Sequence, residues 1–468
     1  MERDAQRKLK PMTLFRESLV SQKRLYLPPS KSEDWRFFMR TIGIGLAGFG
    51  TVGAGVYENL ERHRDLIAER SGYAFDVRRI VVRDPKKQRD VAAPPGLFSK
   101  RWQDLLEDSE IKVVVELIGG TTEAFDLTVA AIKSGRIVVT GNKALLAERG
   151  AEIFALACEH KVPVFFEAAV AGGIPIIQSL RDAFVGNRIE SVHGILNGTS
   201  NYILTRMQEA GLDYPEALAE AVSLGYAEAD PTLDINGWDA GHKAIILAAL
   251  AYGFWVDPTT IRVEGIDRVS AADIHFAKSL GYCIKLLGSI REKEGTVEVG
   301  VAPTLIPQAN VLASVNGVFN AVAVRGDLVG ESIFYGRGAG RGPTATSVIG
   351  DLVEASHVLD APRKTYGFSS HSLYGSSRPA SEIVGSYYLR LSVDDKPGVL
   401  ARIAGVLGEA GIGISSVVQP ESIAGVETPL VLMIHEAAYG AMLSALATIT
   451  ALDCVKGEPV LFNVETLS

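Results

Sequence analysis

The chain has 468 residues, 47% of them hydrophobic and 22% charged, ordinary globular usage that excludes a disordered, collagenous or highly charged chain. A formal net charge of −8 offers no global basic field, so neither nucleic acid nor a membrane surface is expected as a partner and small molecules are favoured. At about 150 residues per domain the length corresponds to about three domains. The outlying number is 47 glycines, which directs attention to places where backbone turns sharply or meets a ligand.

Residues 1–40 hold ten Lys/Arg against five Asp/Glu. They lack the apolar core and small-residue cleavage site of a secretory signal. They read as an N-terminal extension, either a disordered basic arm or a stretch upstream of a natural start at Met39. From Thr41, the short apolar runs TIGIGLAG, FDVRRIVVR, KVVVEL, RIVVT and VPVFF alternate with the helical patterns VYENLERHRDLIAER, EAFDLTVAAIKS and NKALLAERGAEIFALACEH. This α/β alternation predicts a Rossmann-type, doubly wound parallel sheet over residues 41–169, with its ligand crevice at the carboxyl ends of the strands.

Residues 170–360 mix strands such as SVHGIL with long helices, the pattern of an α+β domain and not of a second nucleotide domain. Its uncharged run 244–256 is too short to cross a bilayer and reads as a buried helix. A Ser/Gly/Pro-bearing stretch in 361–384 reads as a linker. Residues 385–468 then read strand, helix, strand, strand, helix, strand, a ferredoxin-like βαββαβ unit. Cys158, Cys283 and Cys454 show neither CxxC nor zinc-ligand spacing, which fits a reducing, cytoplasmic setting.

Two segments carry chemistry. Gly48, Gly50 and Gly53 form GFGTVG, with Thr51 and Val52 inside it, between a predicted strand and a predicted helix: the context of a dinucleotide pyrophosphate loop. At the end of the second strand stand Arg83, Asp84, Lys86 and Lys87; the basic cluster favours NADP(H), and Asp84 keeps NAD(H) open. The second segment, GYAEADPTLDINGWDAGHK, holds Glu228, Asp230, Asp234, Asp239 and Lys243. Asn236 can cap a helix starting near Trp238, on which Asp239 and Lys243 share a face. At the mouth of a buried helix, desolvation would lower the lysine pKa while Asp239 holds the charge, the balance a proton shuttle needs; the alternative is an ordinary surface pair. His193 has no partner at a dehydrogenase-like spacing. Cys158 reads as a buried structural thiol, which disfavours thiol catalysis.

These motifs, with VVVELIGG (113–120), VVTGNKALLA (138–147), FEAAVAGGIPII (166–177), GILNGTSNYIL (194–204) and YGRGAGRGPTA (335–345), resemble the homoserine dehydrogenase family over about residues 40–360. VDDKPGVLARIAGVLGEAGIGISS resembles an ACT domain. The resemblance implies reversible NAD(P)-dependent interconversion of L-homoserine and L-aspartate 4-semialdehyde by a homodimer or homotetramer, with residues 170–360 as the α+β substrate-binding and dimerisation domain. It implies that Lys243 moves the proton, that Glu228, Asp234 and Asp239 bind substrate, and that Lys143 lies beside nicotinamide and substrate. Thr121, Gly225 and Gly340 would join the GFGTVG residues and Arg83 at the cofactor. Glu167, Val170, Gly172 and Ile174 would hold a monovalent cation, typically sodium. Asp395, Lys396 and Gly398 would receive an amino-acid effector, threonine by resemblance, unless the ACT unit serves oligomerisation alone. Competing readings are a non-catalytic nucleotide- and amino-acid-sensing protein, or another oxidoreductase on this fold.

Overall fold

The computed structural model describes residues 40–227, 230–361, 367–420 and 427–467. The expected arm at 1–39, Glu228 and part of the expected linker lie outside these residues. The strands β1 (Arg40–Ala47), β2 (Tyr73–Val81), β3 (Phe98–Ser99), β4 (Ile111–Glu116), β5 (Ile137–Thr140) and β6 (Val164–Phe165) form a six-stranded sheet in the order β3-β2-β1-β4-β5-β6. Every pairing in it is parallel. The β-branched runs are there because both faces of such a sheet are covered: Ile44, Val113, Val114, Val115, Val138 and Val139 are all buried. Crossover helices α1 (Thr51–Arg62), α2 (Glu123–Lys133) and α3 (Lys143–His160) connect the strands. The order reverses between β1 and β4, which opens the crevice at their carboxyl ends.

Two local readings differ from the structure. The run VYENLERHRDLIAER is two helices, α1 and Arg64–Ser71, because His63 leaves helical geometry (φ −110°, ψ 20°). Cys158 is exposed: the buried stripe of α3 runs through Leu146, Gly150, Ile153, Phe154 and Ala157, and Cys158 lies off that face.

The second sheet starts with β7 (Ile189–Ile195), which leads into α4 (Gly198–Ala210). The helices α5 (Trp238–Tyr252) and α6 (Ala271–Ser279) precede the long hairpin β8 (Tyr282–Lys293) and β9 (Thr296–Pro307), followed by β10 (Phe319–Gly326) and β11 (Gly330–Arg337). Helix α5 is buried at Lys243–Ala249, Ala251 and Tyr252, as its uncharged sequence requires. The glycine-rich segment leads into α7 (Arg341–Asp360), whose Ala345, Val348, Leu352, Ala355 and Val358 pack into the core of the nucleotide sheet. Gly55 on α1 makes room for it: a Cβ there would lie 2.5 Å from Arg341 Cγ.

The C-terminal unit comprises β12 (Val384–Asp394), α8 (Val399–Glu409), β13 (Ile414–Val418), β14 (Glu427–Ala438), α9 (Tyr439–Thr450) and β15 (Val455–Val464). Its sheet is not separate. The order β11-β10-β7-β8-β9-β15-β12-β14-β13 runs through both units, with β9 and β15 joined in parallel at Thr304–Asn463 and Leu305–Val464. The segment before β12 is also tied down, through His371 N–H to the Gly253 carbonyl (2.9 Å) and a Tyr374 hydroxyl that accepts from Ile189 N–H (3.1 Å). No helix among the described residues is long and apolar enough to cross a membrane.

Candidate active site

The glycines of GFGTVG have three distinct physical roles. Gly48 adopts φ +100°, and a Cβ there would lie 2.4 Å from the Leu117 carbonyl oxygen. At Gly53 a Cβ would meet the Gly48 oxygen at 2.2 Å, whereas at Gly50 it would meet nothing within 4 Å. So Gly48 and Gly53 close a tight strand-to-helix turn, and Gly50 faces open space. Helix α1 begins there with no side-chain cap and no acidic residue in its first turn, leaving N–H groups for an anion. Gly53→Ala is expected to weaken NADPH binding by about tenfold or more, since the added methyl must displace backbone; fluorescence titration beside a thermal melt separates this from unfolding.

The turn opens onto a cleft of ≈ 530 Å³ lined by Gly48, Gly50, Thr51, Ile118 and Arg341, and by a basic rim of Arg83, Lys87, Arg89 and Lys100. Asp84 caps its own loop, accepting from Lys86 N–H (2.9 Å). Asp90 pairs with Arg341. Val52 lies on α1, Thr121 in the turn between β4 and α2, Gly225 (φ +73°) after the helix Tyr214–Ser223, and Gly340 (φ +113°) at the start of α7.

A network that sequence reasoning missed fixes the loops at this end of the sheet. Buried Glu116, at the end of β4, accepts from Thr140 Oγ1 (2.7 Å) and from the N–H groups of Ile118 (2.9 Å) and Gly119 (3.3 Å). Asn142 then caps α3 through Leu145 N–H (3.1 Å) and donates to the Gly120 carbonyl (2.7 Å). A glutamate ending an otherwise apolar strand was the available signal.

Lys143 is the first residue of α3, and its ammonium reaches Asp239 Oδ1 at 3.1 Å. This ion pair joins the crevice to α5. Lys243 lies one turn along α5 from Asp239, which the spacing predicts, and donates to Asp239 Oδ2 (2.7 Å) and the Leu196 carbonyl (2.6 Å). Asp239 and Lys243 are both 8% exposed, so the alternative of a solvated surface pair is excluded. The expected cap differs: Gly237 (φ +87°) is the N-cap of α5 and makes no side-chain cap bond, and Asn236, one residue earlier, closes the preceding turn by accepting from Trp238 N–H (3.0 Å). Asp234 joins the cluster through Asn197 Nδ2 (2.8 Å), whose other N–H goes to Asp239 Oδ2 (2.7 Å). Asp230 turns away, accepting from Thr232 N–H (3.1 Å).

Burial alone would push Asp239 up, but Lys243 first and then Lys143 outweigh it and hold the carboxyl well below the usual range. Burial and then the charge of Asp239 push Asp234 up. The two neighbouring carboxylates are thus shifted in opposite directions by their environments. An ammonium has three donors, and Lys243 spends two on protein oxygens, the Asp239 carboxylate and the Leu196 carbonyl. His193 is half-buried, and desolvation and then the charges of Arg291 and Arg325 push it down to about 4.

The residues expected at a cation form an irregular turn. Ala171 (φ +54°) and Gly172 (φ +52°) are left-handed, and Gly172 abuts the Gly338 carbonyl. The Glu167 carboxylate accepts from Ile177 N–H (2.9 Å) and Gln178 N–H (2.8 Å), and Glu167 N–H donates to buried Asp351 (2.8 Å). In the C-terminal unit Lys396 pairs with Asp394 (3.0 Å), and Gly398 (φ +89°) opens α8 without a side-chain cap.

A Rossmann crevice leading to a buried lysine–aspartate pair, with a ferredoxin-like module spliced to the same sheet, defines a nicotinamide-dependent oxidoreductase with a regulatory-type domain. Family models match in the same three parts: homoserine dehydrogenase, NAD binding domain, at residues 48–167; homoserine dehydrogenase at 175–353; and ACT domain at 387–450. The homoserine dehydrogenase of Pseudomonas aeruginosa is 44% identical over 92% of this chain and 100% of its own. A crystal structure of a homoserine dehydrogenase from Thiobacillus denitrificans is 43% identical and superposes with a TM-score of 0.86 over 92% of this chain and 99% of its own. A hyperthermophilic archaeal homoserine dehydrogenase in complex with NADPH is 29% identical, with a TM-score of 0.58 over 69% of this chain and 100% of its own. The chain belongs to the homoserine dehydrogenase family, NAD(P)-dependent oxidoreductases that interconvert L-homoserine and L-aspartate 4-semialdehyde.

Proposed function

We propose that Lys243 exchanges the proton of the substrate's reacting oxygen, directly or through one water, with Asp239 and Lys143 setting its position. The carrying observation is the Lys243–Asp239–Lys143 chain of contacts, 2.7 and 3.1 Å long, at the carboxyl end of the nucleotide sheet. NAD(P)+, when bound, accepts the hydride from the alcohol carbon. The open space at Gly50 and the uncapped start of α1 fit its pyrophosphate, with Thr51, Val52, Thr121, Gly225 and Gly340 completing the cofactor contacts. Asp234 and Glu228 bind the substrate's ammonium, and the raised proton affinity of Asp234 is relieved when that cation arrives. A pure sensor would need no such proton-handling cluster.

NADP(H) is the preferred cofactor on this reading, because Arg83, Lys87, Arg89 and Lys100 rim the cleft. A sodium ion fits the carbonyls of Val170, Gly172 and Ile174 beside buried Glu167, whose backbone N–H donates to the buried carboxylate of Asp351. Threonine fits as the effector, its carboxylate at the open start of α8 near Asp395, Lys396 and Gly398. The half-exposed Tyr335 on edge strand β11 supports assembly as a homodimer or homotetramer, and the three free cysteines suit the cytoplasm.

The test is homoserine-dependent reduction of NADP+ and NAD+, with and without threonine. Turnover with NADP+ is expected to have the lower KM and to fall on adding threonine. Arg83→Ala is expected to raise the KM for NADP+ by about tenfold with little change for NAD+. An equal effect on both cofactors would remove the 2′-phosphate assignment.

A further inference from the structure

We infer that Asn197 is a positioning residue of the reaction, whose side-chain amide holds Asp234 and Asp239 in fixed relation so that substrate binding and proton transfer occur at one place. This rests on the reading of Lys243 and Asp239 given above.

Asn197 follows β7 and caps α4. It is 4% exposed. Its Oδ1 accepts from Ser200 N–H (2.7 Å), and because a backbone N–H needs an acceptor, this contact fixes which way the amide faces. Both N–H bonds then point into the site, to Asp234 Oδ1 (2.8 Å) and Asp239 Oδ2 (2.7 Å). No other residue type offers this combination at a cap: Asp and Ser accept the helix N–H equally well, but neither can donate two hydrogen bonds outward.

The preceding residue belongs to the same device. The Leu196 carbonyl accepts from Lys243 Nζ (2.6 Å) and from Asn320 Nδ2 (2.9 Å). Two consecutive residues at the end of β7 thus hold the lysine by a carbonyl and both aspartates by an amide. Nearby, Ser200 Oγ donates to the Asp234 carbonyl (2.7 Å), tying the same helix start to the backbone of the Asp234 turn. Without the bridge, two like charges in a low-dielectric site would separate, and Asp239 would lose one of the contacts that aim it at Lys243.

The charged groups joined to this amide, directly or through Asp239, are Asp234 from the helix Thr232–Ile235, Asp239 and Lys243 from α5, and Lys143 from α3, and His242 on α5 interacts electrostatically with Asp239 and both lysines. Loss of the amide donors raises the proton affinity of the two aspartates, so the acid limb of the pH–rate profile moves to higher pH. A third carboxylate moves it further.

The experiment uses the full chain with Asn197→Ser and Asn197→Asp, both of which keep the cap acceptor. Expected for Asn197→Ser is a fall in kcat/KM for homoserine of about 10- to 100-fold, the loss of hydrogen bonds to charged groups, with NADPH affinity and melting temperature close to wild type. Asn197→Asp is expected to shift the acid limb of kcat/KM upward by more than Asn197→Ser does. Wild-type kcat/KM and an unshifted profile in both variants would reduce Asn197 to a helix cap and overturn the inference. If Asn197→Ser melts early, the Asn197→Asp profile decides alone. Lys243→Ala, run beside them, tests the underlying reading: an active Lys243→Ala overturns that reading, whereas an inactive one with unaffected Asn197 variants overturns only the inference.

Discussion

Lys243→Ala is expected to lower kcat by about 10²- to 10⁴-fold, the usual contribution of a positioned acid–base group, while the affinity for NADPH stays within about twofold of wild type. The structure explains why this variant keeps its fold. Asp239 retains the Lys143 ammonium (3.1 Å) and the Asn197 amide (2.7 Å), so no carboxylate is left buried and unpaired. The Leu196 carbonyl retains the Asn320 amide (2.9 Å). The truncation therefore removes a proton carrier and leaves its neighbours satisfied, which is why melting temperature and cofactor titration should scarcely move. Asp239→Ala is the harsher change, because it removes the anion between two ammonium groups. Steady-state kinetics in both directions, beside a fluorescence titration with NADPH, check the expectation; turnover near wild type in Lys243→Ala would exclude the lysine from the chemistry.

How much of this was legible in the sequence follows from the range of each interaction. Strands β1, β4 and β5 are buried on both faces, so their β-branched runs announce a parallel sheet without any knowledge of partners. The Asp239–Lys243 pair is equally local, one helical turn inside a run with no other charge. Asn197 and Glu116 escaped because their partners are remote: Asn197 is 42 residues from Asp239, and Glu116 is 24 from Thr140. A lone amide in a turn has no periodicity to betray it. Helix α7 was read with the middle of the chain, yet its apolar stripe packs on the nucleotide core, since amphipathicity tells which face is buried and not against what. Cys158 shows the same limit at the scale of one residue.

The splice between the ACT unit and the catalytic sheet was invisible for a related reason, and it carries the largest expected stability effect. Among the described residues the strands of the two units pair at two positions, Thr304–Asn463 and Leu305–Val464. Beside them Asp273 on α6, fully buried, accepts from Arg390 Nε (2.6 Å), Arg390 Nη2 (3.0 Å) and the Tyr388 hydroxyl (2.9 Å) of β12. The same carboxylate accepts from Ser270 N–H (3.0 Å) and Ser270 Oγ (2.6 Å) at the start of α6. Asp273→Ala removes five hydrogen bonds at once. It strands a guanidinium that is largely buried. Breaking a buried pair in this way costs about 3–5 kcal/mol, because the surviving charge keeps its desolvation penalty. Tyr388→Phe deletes one neutral donor and leaves the ion pair intact, so it should cost only about 1 kcal/mol. Urea denaturation of the full chain checks both values. If Asp273→Ala unfolded no more easily than Tyr388→Phe, the ion pair would be a passenger, and the hold between the two units would reside in the other contacts that cross between them, such as Arg291 with Glu465 (3.1 Å) and Arg262 with Asn463 (2.7 Å). If the expected difference appears, Asp273 is a principal tie between the C-terminal module and α6, and the two cannot move apart without separating Asp273 from Arg390.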